Sequence, residues 1–208
     1  ILPGLMVAIY GQTDKIMLKH MIGDTEIGYY STAVSLCNMW CFVLSAIIES
    51  FYPVIVEAFK TDRDEFCRKN KMLYAIVFYV SITVSVFFVV FGGIVVKLLY
   101  GKEYLGAVAP LQVITWYTAF SYLGVARNAW IVCMDRQKYL KYLYLAAAIS
   151  NVGLNFLLIP RLASVGAAIA SLIAQIITTF IVPFFIKELR ENSVMMAQAI
   201  VFKGLKKR

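Results

Sequence analysis

The chain has 208 residues, 61% of them hydrophobic and 15% charged, with a net charge of +8 and a mean hydropathy of +0.76. A water-soluble domain runs at about 45–50% apolar and about 25% charged, so this composition excludes one. It also assigns the positive balance to membrane-flanking loops rather than to a nucleic-acid surface.

Six apolar runs follow in chain order, over about 3–22, 27–58, 72–99, 107–134, 139–159 and 163–187. Each is near or above the ~20 residues needed to cross a ~30 Å hydrocarbon core. Lipid-exposed irregular backbone is not viable at that depth, so each is predicted to be a helix. That holds for the β-branched stretch 76–96, which is too long for a strand. The fold class is therefore all-α, a polytopic six-helix bundle over 1–187, followed by a basic cytoplasmic or interfacial tail over 188–208. The tail reads either as an amphipathic interfacial helix or as the start of a further span. The chain begins with Ile1 and carries no recognisable signal peptide, so it reads as a fragment or one half of a longer protein.

The first run holds Asp14 and Lys15. Asp14 lies about two residues past its middle, roughly 3 Å at 1.5 Å per residue. A charge near the bilayer centre costs about 2.5–3.5 kcal/mol on insertion scales and usually faces a cavity or a partner. Asp14 is too short to reach water and is either an ion-pair partner or part of a site. Lys15 is long enough to snorkel outward. The second run holds Glu49, near its inner end. The fourth holds Arg127, which either reaches inner-leaflet phosphates or holds an anion in a cavity. Its aromatics Trp116, Tyr117, Tyr122 and Trp130 serve either packing and the interface belt or a sugar-stacking wall. The fifth run carries Asn151 and Asn155, four apart and so on one face.

Between the runs the basic residues alternate sides. Lys60, Arg63, Arg68, Lys69 and Lys71 follow the second run, Arg136, Lys138 and Lys141 the fourth, and the tail adds six more. The opposite turns hold Lys19, Lys97, Lys102 and Arg161. This bias predicts a multi-pass protein with both chain ends in the cytoplasm. The three outer turns resume through Gly28, Gly106 and Gly166 with small residues after them, which predicts close helix approach. The sole histidine is His20. Of the cysteines Cys37, Cys41, Cys67 and Cys133, three lie in apolar runs and Cys67 in a basic loop; Cys37 and Cys41 share a helix face without acidic or histidine company. Zinc or histidine-based catalysis has little to work with.

The strings QTDKIMLKHMIGDTEIGYYSTAVSL, LLYGKEYLGAVAPLQVI and NVGLNFLLIPRLASVGAAIAS resemble the C-terminal half of a Wzx-type polysaccharide flippase of the MATE-like exporter superfamily. The resemblance implies one lobe of two facing six-helix bundles, with the N-terminal six-helix half as its partner. It implies transport of an undecaprenyl-diphosphate-linked oligosaccharide across a bacterial inner (cytoplasmic) membrane, with membrane lipids around it and no nucleic acid. Similarity to lipid II flippases further implies a cation site, for sodium or a proton, made by Asp14, Asn151, Asn155, the Ala167 carbonyl and the Ser171 hydroxyl. Asn155 departs from the pattern, which has a second acid there. An anionic substrate would meet Arg127 and Lys15. No other cofactor is expected. Three rivals stand beside this reading: a multidrug antiporter of the same superfamily, a membrane enzyme of polysaccharide assembly, and a scaffold. The enzyme would need paired carboxylates or a metal motif at a membrane face, and the short outer turns offer neither.

Overall fold

In the computed structural model the backbone is described for residues 2–201 and the side chains for residues 12–201. Every long element is a helix, and no strand occurs among the described residues. The long helices are α1 (Leu2–Met21), α2 (Asp24–Thr61), α3 (Arg63–Tyr100), α4 (Val108–Cys133) and α5 (Leu140–Ile176). A π-helical turn, Ile177–Ile181, then leads through the short α6 (Val182–Phe185) to α7 (Lys187–Ile200).

The label α5 hides a hairpin. Ala163, at φ 49° and ψ −128°, interrupts its helical backbone. A straight helix would hold residues 158 and 166 about 12 Å apart. Instead, a Cβ built on Gly166 would meet the Leu158 carbonyl oxygen at 2.4 Å. The chain has doubled back, and only a residue without a side chain permits that approach. Pro160, with no N–H to continue the ladder, sits just before the reversal. Arms 140–162 and 164–176 thus cover the fifth apolar run and the start of the sixth, giving with α1 to α4 six rods over the described residues 2–185. By length and composition Asp24–Thr61, Arg63–Tyr100 and the doubled stretch Gln137–Phe185 are apolar enough to cross a membrane. The protein is an all-α membrane protein.

Several expected boundaries are corrected. Residues 60–71, read as a charged inner loop, are helical except for Asp62. Asp62 ends α2 in an extended conformation and caps α3, its side chain accepting from the Asp64 N–H at 3.0 Å. At 38 residues each, α2 and α3 run about 57 Å, well beyond the ~30 Å core. Their charged ends stand in water as helix, because charge marks solvent and not a break in the backbone. Of the three re-entry glycines, Gly106 and Gly166 are close-approach points. A Cβ at Gly106 would strike the Tyr29 ring at 2.5 Å, whereas one at Gly28 would meet nothing. The sixth run ends at Phe185 and breaks at the extended Ile186, short of the expected 187. The start of the tail is α7, packed along α3 through Asn192 on the Tyr74 hydroxyl (2.6 Å) and the Tyr79 hydroxyl on the Ile200 carbonyl (2.5 Å). The tail's last basic residues, Lys203, Lys206, Lys207 and Arg208, lie outside the described residues.

Two apolar cores sit at opposite ends of the bundle. The one at the α2–α3 turn, called the inner core by position in the bundle alone, gathers Phe66, Leu73, Trp130, Leu189 and Met196. The other, at the α1–α2 turn and called the outer core, gathers Leu18, Leu36, Phe88, Leu111 and Ile159. Buried polar residues lie between them: Ser81, Ser85, Thr115 and Thr118 where α3 meets α4, and Asp14, Asn151, Asn155 and Ser171 where α1 meets α5. The Ser85 hydroxyl donates across to the Thr115 carbonyl at 2.9 Å, the close small-residue contact that membrane helices use. Outward, α3 presents Val86, Phe87, Val90, Phe91, Ile94 and Leu98, a face suited to lipid. The exposed stripe of α2 is mixed, with Ser35, Asn38, Glu49 and Ser50 among Met39 and Phe42.

Candidate functional site

Two turns bring the polar residues together, and each acts as a mirror. The α1–α2 turn at Ile22–Gly23 sets position 14 opposite position 30. The reversal at Ala163 sets position 155 opposite position 171, with Asn151 one helical turn further in. The Asp14 carboxylate occupies the common point. Its Oδ1 accepts from Asn155 Nδ2 at 2.7 Å and from Asn151 Nδ2 at 2.9 Å. Its Oδ2 accepts from the Tyr30 hydroxyl and the Ser171 hydroxyl, each at 2.5 Å. Those four donors match the roughly four acceptor positions a carboxylate has. The donors also bind one another. Asn151 Nδ2 lies 3.1 Å from Ser171 Oγ, and Asn155 Nδ2 donates to Asn151 Oδ1 at 3.1 Å.

The cluster is sealed. Asp14 is 6% exposed and both asparagines are fully buried. One hydrogen-bonded carboxylate therefore ties α1 to α2 and to both arms of α5. A buried carboxylate is tolerated only with partners of this kind, and here the partners come from three other rods.

One atom is left over. Asn155 Oδ1 is buried with no hydrogen-bond partner, and a buried acceptor in that state is costly. Ala167, fully buried, stands one turn from Ser171 on the same arm. The oxygens that the cluster gathers are hard ones: the Asp14 carboxylate, the Asn151 and Asn155 amides, and the Ser171 and Tyr30 hydroxyls. That set suits a small hard cation and not a soft transition metal. Among the described residues no group of three or more His, Cys, Asp or Glu side chains could hold a metal ion. Any cation here would rest on one carboxylate and neutral oxygens.

Sequence reasoning missed Tyr30, which supplies one of the two shortest hydrogen bonds to Asp14. The signal was present: Tyr30 lies as far after the α1–α2 turn as Asp14 lies before it, and adjacent antiparallel helices pair positions in that way.

The two basic candidates do not join this cluster or each other. Lys15 is half-buried and forms no hydrogen bond or ion pair among the described residues. Arg127 is 2% exposed, on the inner half of α4. Its Nη2 donates to the Thr179 carbonyl in the π-helical turn and faces the Met196 sulfur of α7 at 3.6 Å. Glu49 is exposed on α2. The Cys41 thiol donates to the Cys37 carbonyl at 3.1 Å, a local helix contact with no metal geometry. Of the aromatics, Trp130 belongs to the inner core, which is the packing reading; Tyr117 lines a cleft beside Arg127.

Comparison with known proteins converges on the same class. The chain is 21% identical over 176 residues to the capsular polysaccharide biosynthesis protein CapF of Staphylococcus aureus, a match covering 84% of this chain and 44% of that protein. It thus spans under half the length of that relative. No solved structure matches. Residues 1–109 match the family described as polysaccharide biosynthesis protein. With more than half its length matched, and with the all-α membrane bundle that its sequence demanded, the chain belongs to the polysaccharide biosynthesis protein family.

Proposed function

We propose that this chain is the second lobe of a flippase that carries an undecaprenyl-diphosphate-linked oligosaccharide across the bacterial cytoplasmic membrane, driven by a coupling cation. The physical task is to move a polar sugar head past hydrocarbon, which a polar cavity opening alternately to each side accomplishes. The mixed polar face of α2 (Ser35, Asn38 and Glu49) supports a wall turned to such a cavity and to the N-terminal half, in contrast to the apolar face of α3. Both chain ends then lie in the cytoplasm, as the basic inner segments require.

The observation that carries the reading is the sealed Asp14 cluster. Asp14, Asn151, Asn155, Ser171 and the Ala167 carbonyl would hold sodium, and Asp14 alone would hold a proton. Either ion supplies positive charge to the carboxylate. A proton on Asp14 turns one acceptor into a donor and breaks at least one of its four bonds. A cation draws oxygens inward where N–H and O–H groups now point. Both changes alter how tightly α1 is held to the α5 hairpin. Two alternative packings of α1 are the kind of bistable element that alternating access needs. Lys15, half-buried one residue from Asp14, is in this reading a contact for anionic substrate groups. A membrane enzyme would instead need reactive groups reachable from one membrane face, and this cluster is enclosed.

The test is transport by the full-length protein in proteoliposomes, using a fluorescent lipid-linked oligosaccharide with imposed sodium and proton gradients. Asp14→Asn keeps the shape of the side chain and removes its charge; it should abolish cation-stimulated flipping. Unchanged gradient dependence in that variant would end the reading.

A further inference from the structure

The second buried charge of the bundle is built differently from the first. Arg127 is 2% exposed and makes no ion pair among the described residues. Its Nε is buried without a partner, and its Nη2 meets only the Thr179 carbonyl and a thioether. The π-helical turn explains the carbonyl: widening the helix shifts one acceptor out of the regular ladder. Nothing described supplies the negative charge that a desolvated guanidinium calls for.

Beside it lies a cleft of 190 Å³ between α4, the first arm of α5 and the π-helical turn, lined by Arg127, Asn128, Tyr144, Gln175, Thr178 and Thr179 among others. Its polar groups are donors or can donate. Gln175 Nε2 reaches Thr179 Oγ1 at 3.2 Å, and Thr179 Oγ1 lies 3.0 Å from the Phe120 carbonyl. None of these six residues is acidic. Sites for whole small molecules run about 300–1,000 Å³, so this space suits one compact group and not an oligosaccharide. A guanidinium is the preferred partner for phosphate oxygens, which it takes two at a time.

We propose that the cleft is a phosphoryl-anion site inside the lobe, with Arg127 as its charged contact and Asn128 and Gln175 as neutral ones. The proposal deepens the transport reading, on which only the natural source of the phosphate depends. That source is either the phosphate of a lipid headgroup or free phosphate, and the same side chains recognise both. Gln175 lies four residues from Ser171, and Tyr144 seven from Asn151. The anion site therefore continues the face of both α5 arms that carries the Asp14 cluster, displaced toward the inner side. Opposite charges bound in line along one polar seam favour each other's binding, and that coupling is reciprocal.

The experiment uses the full-length protein in phosphatidylcholine nanodiscs and reads binding without transport. One arm titrates inorganic pyrophosphate by calorimetry. The other measures saturable retention of a short-chain polyprenyl phosphate added to the nanodisc. Wild type should bind at least one probe at one site per chain, and Arg127→Gln should weaken it at least tenfold. Gly124→Val provides a variant that keeps the guanidinium. A Cβ there already sits 3.5 Å from Gln175 Nε2 and 3.7 Å from Thr179 Oγ1, so the added methyls fill the cleft and should weaken binding several-fold. Pyrophosphate binding assigns a free-phosphate site; retention of the lipid probe alone assigns a headgroup site. Wild type binding neither probe, or Arg127→Gln and Gly124→Val both binding as wild type, overturns the proposal. If Arg127→Gln fails to fold, Gly124→Val decides. A protein that binds phosphate but flips nothing would refute the transport reading and leave this site standing.

Discussion

The bundle buries two opposite charges and treats them in opposite ways. Asp14 is surrounded by four donors from three other rods, and every acceptor position is used. Arg127 has a carbonyl, a thioether and an unpartnered Nε. A complete network holds helices together, whereas an incomplete one waits for a ligand. Stability and binding are therefore expected to separate at these two sites. Losing the acid should unsettle the fold, and losing the base should not.

The largest effect is expected at Asp14. Asp14→Ala removes the acceptor common to four donors, of which only the amide and Ser171 contacts can partly regroup. Interhelical hydrogen bonds in membranes average about 0.6 kcal/mol, with a maximum near 1.7. Stranding buried donors adds to that loss, for a total of about 3 kcal/mol, measurable by SDS titration of the full-length protein in mixed micelles. A change below about 1 kcal/mol would mean that the carboxylate is not the tie between α1 and α5. Tyr30→Phe removes one donor and should cost about 1 kcal/mol by the same measurement. It also separates two roles of the hydroxyl. If Tyr30 only competes for the carboxylate, the variant reaches half-maximal flipping at a several-fold lower cation concentration. A higher requirement would make the hydroxyl a ligand.

Much of this arrangement was legible beforehand, and the unread parts share one cause. Long apolar runs force helices because lipid cannot satisfy a free backbone, so the six rods followed from composition. Asp14, Asn151, Asn155 and Ser171 were grouped through a family resemblance, and the folded chain brings them within hydrogen-bonding distance. Tyr30 escaped because a tyrosine in an apolar run looks like packing until the turn that faces it toward Asp14 is located. Residues 60–71 were misread because twelve mostly polar residues between apolar runs look like a loop, while α2 and α3 simply continue into water. The surroundings of Arg127 were not legible at all. They depend on a π-helical turn and on the docking of α7, and both are decided by packing between distant segments.

Arg127→Met carries the contrast to the other charge. Replacing a buried, under-partnered charge with an apolar side chain of similar length is often neutral or stabilising. The loss of the Thr179 contact works against that gain. The variant should stay within about 1 kcal/mol of wild type, or exceed it, in the same SDS titration that exposes Asp14→Ala. A loss as large as that of Asp14→Ala would make Arg127 a structural pin for the π-helical turn and erase the distinction between the two sites.

The smallest effect is expected at the reversal that assembles the acidic site. Ala163 holds φ 49° and ψ −128°, a region that residues with a Cβ avoid at a cost of about 1–3 kcal/mol. The fold holds it there from both sides. Glu26 Oε2 accepts the Ser164 N–H at 3.1 Å, tying the reversal to the start of α2, and Gly166 packs onto the Leu158 carbonyl. Ala163→Gly relieves the strain but gives the unfolded chain more freedom, which offsets about 0.4–1 kcal/mol. The net gain should be about 0.5 kcal/mol. The consequence for function is more informative than the gain itself. Ser171 is eight residues from the reversal and Thr179 sixteen, so a loosened turn should disturb the Asp14 cluster first. A shifted cation requirement with unchanged phosphate binding would place the two sites on separable parts of the hairpin. Equal disturbance of both would mean that the second arm moves as one rigid rod.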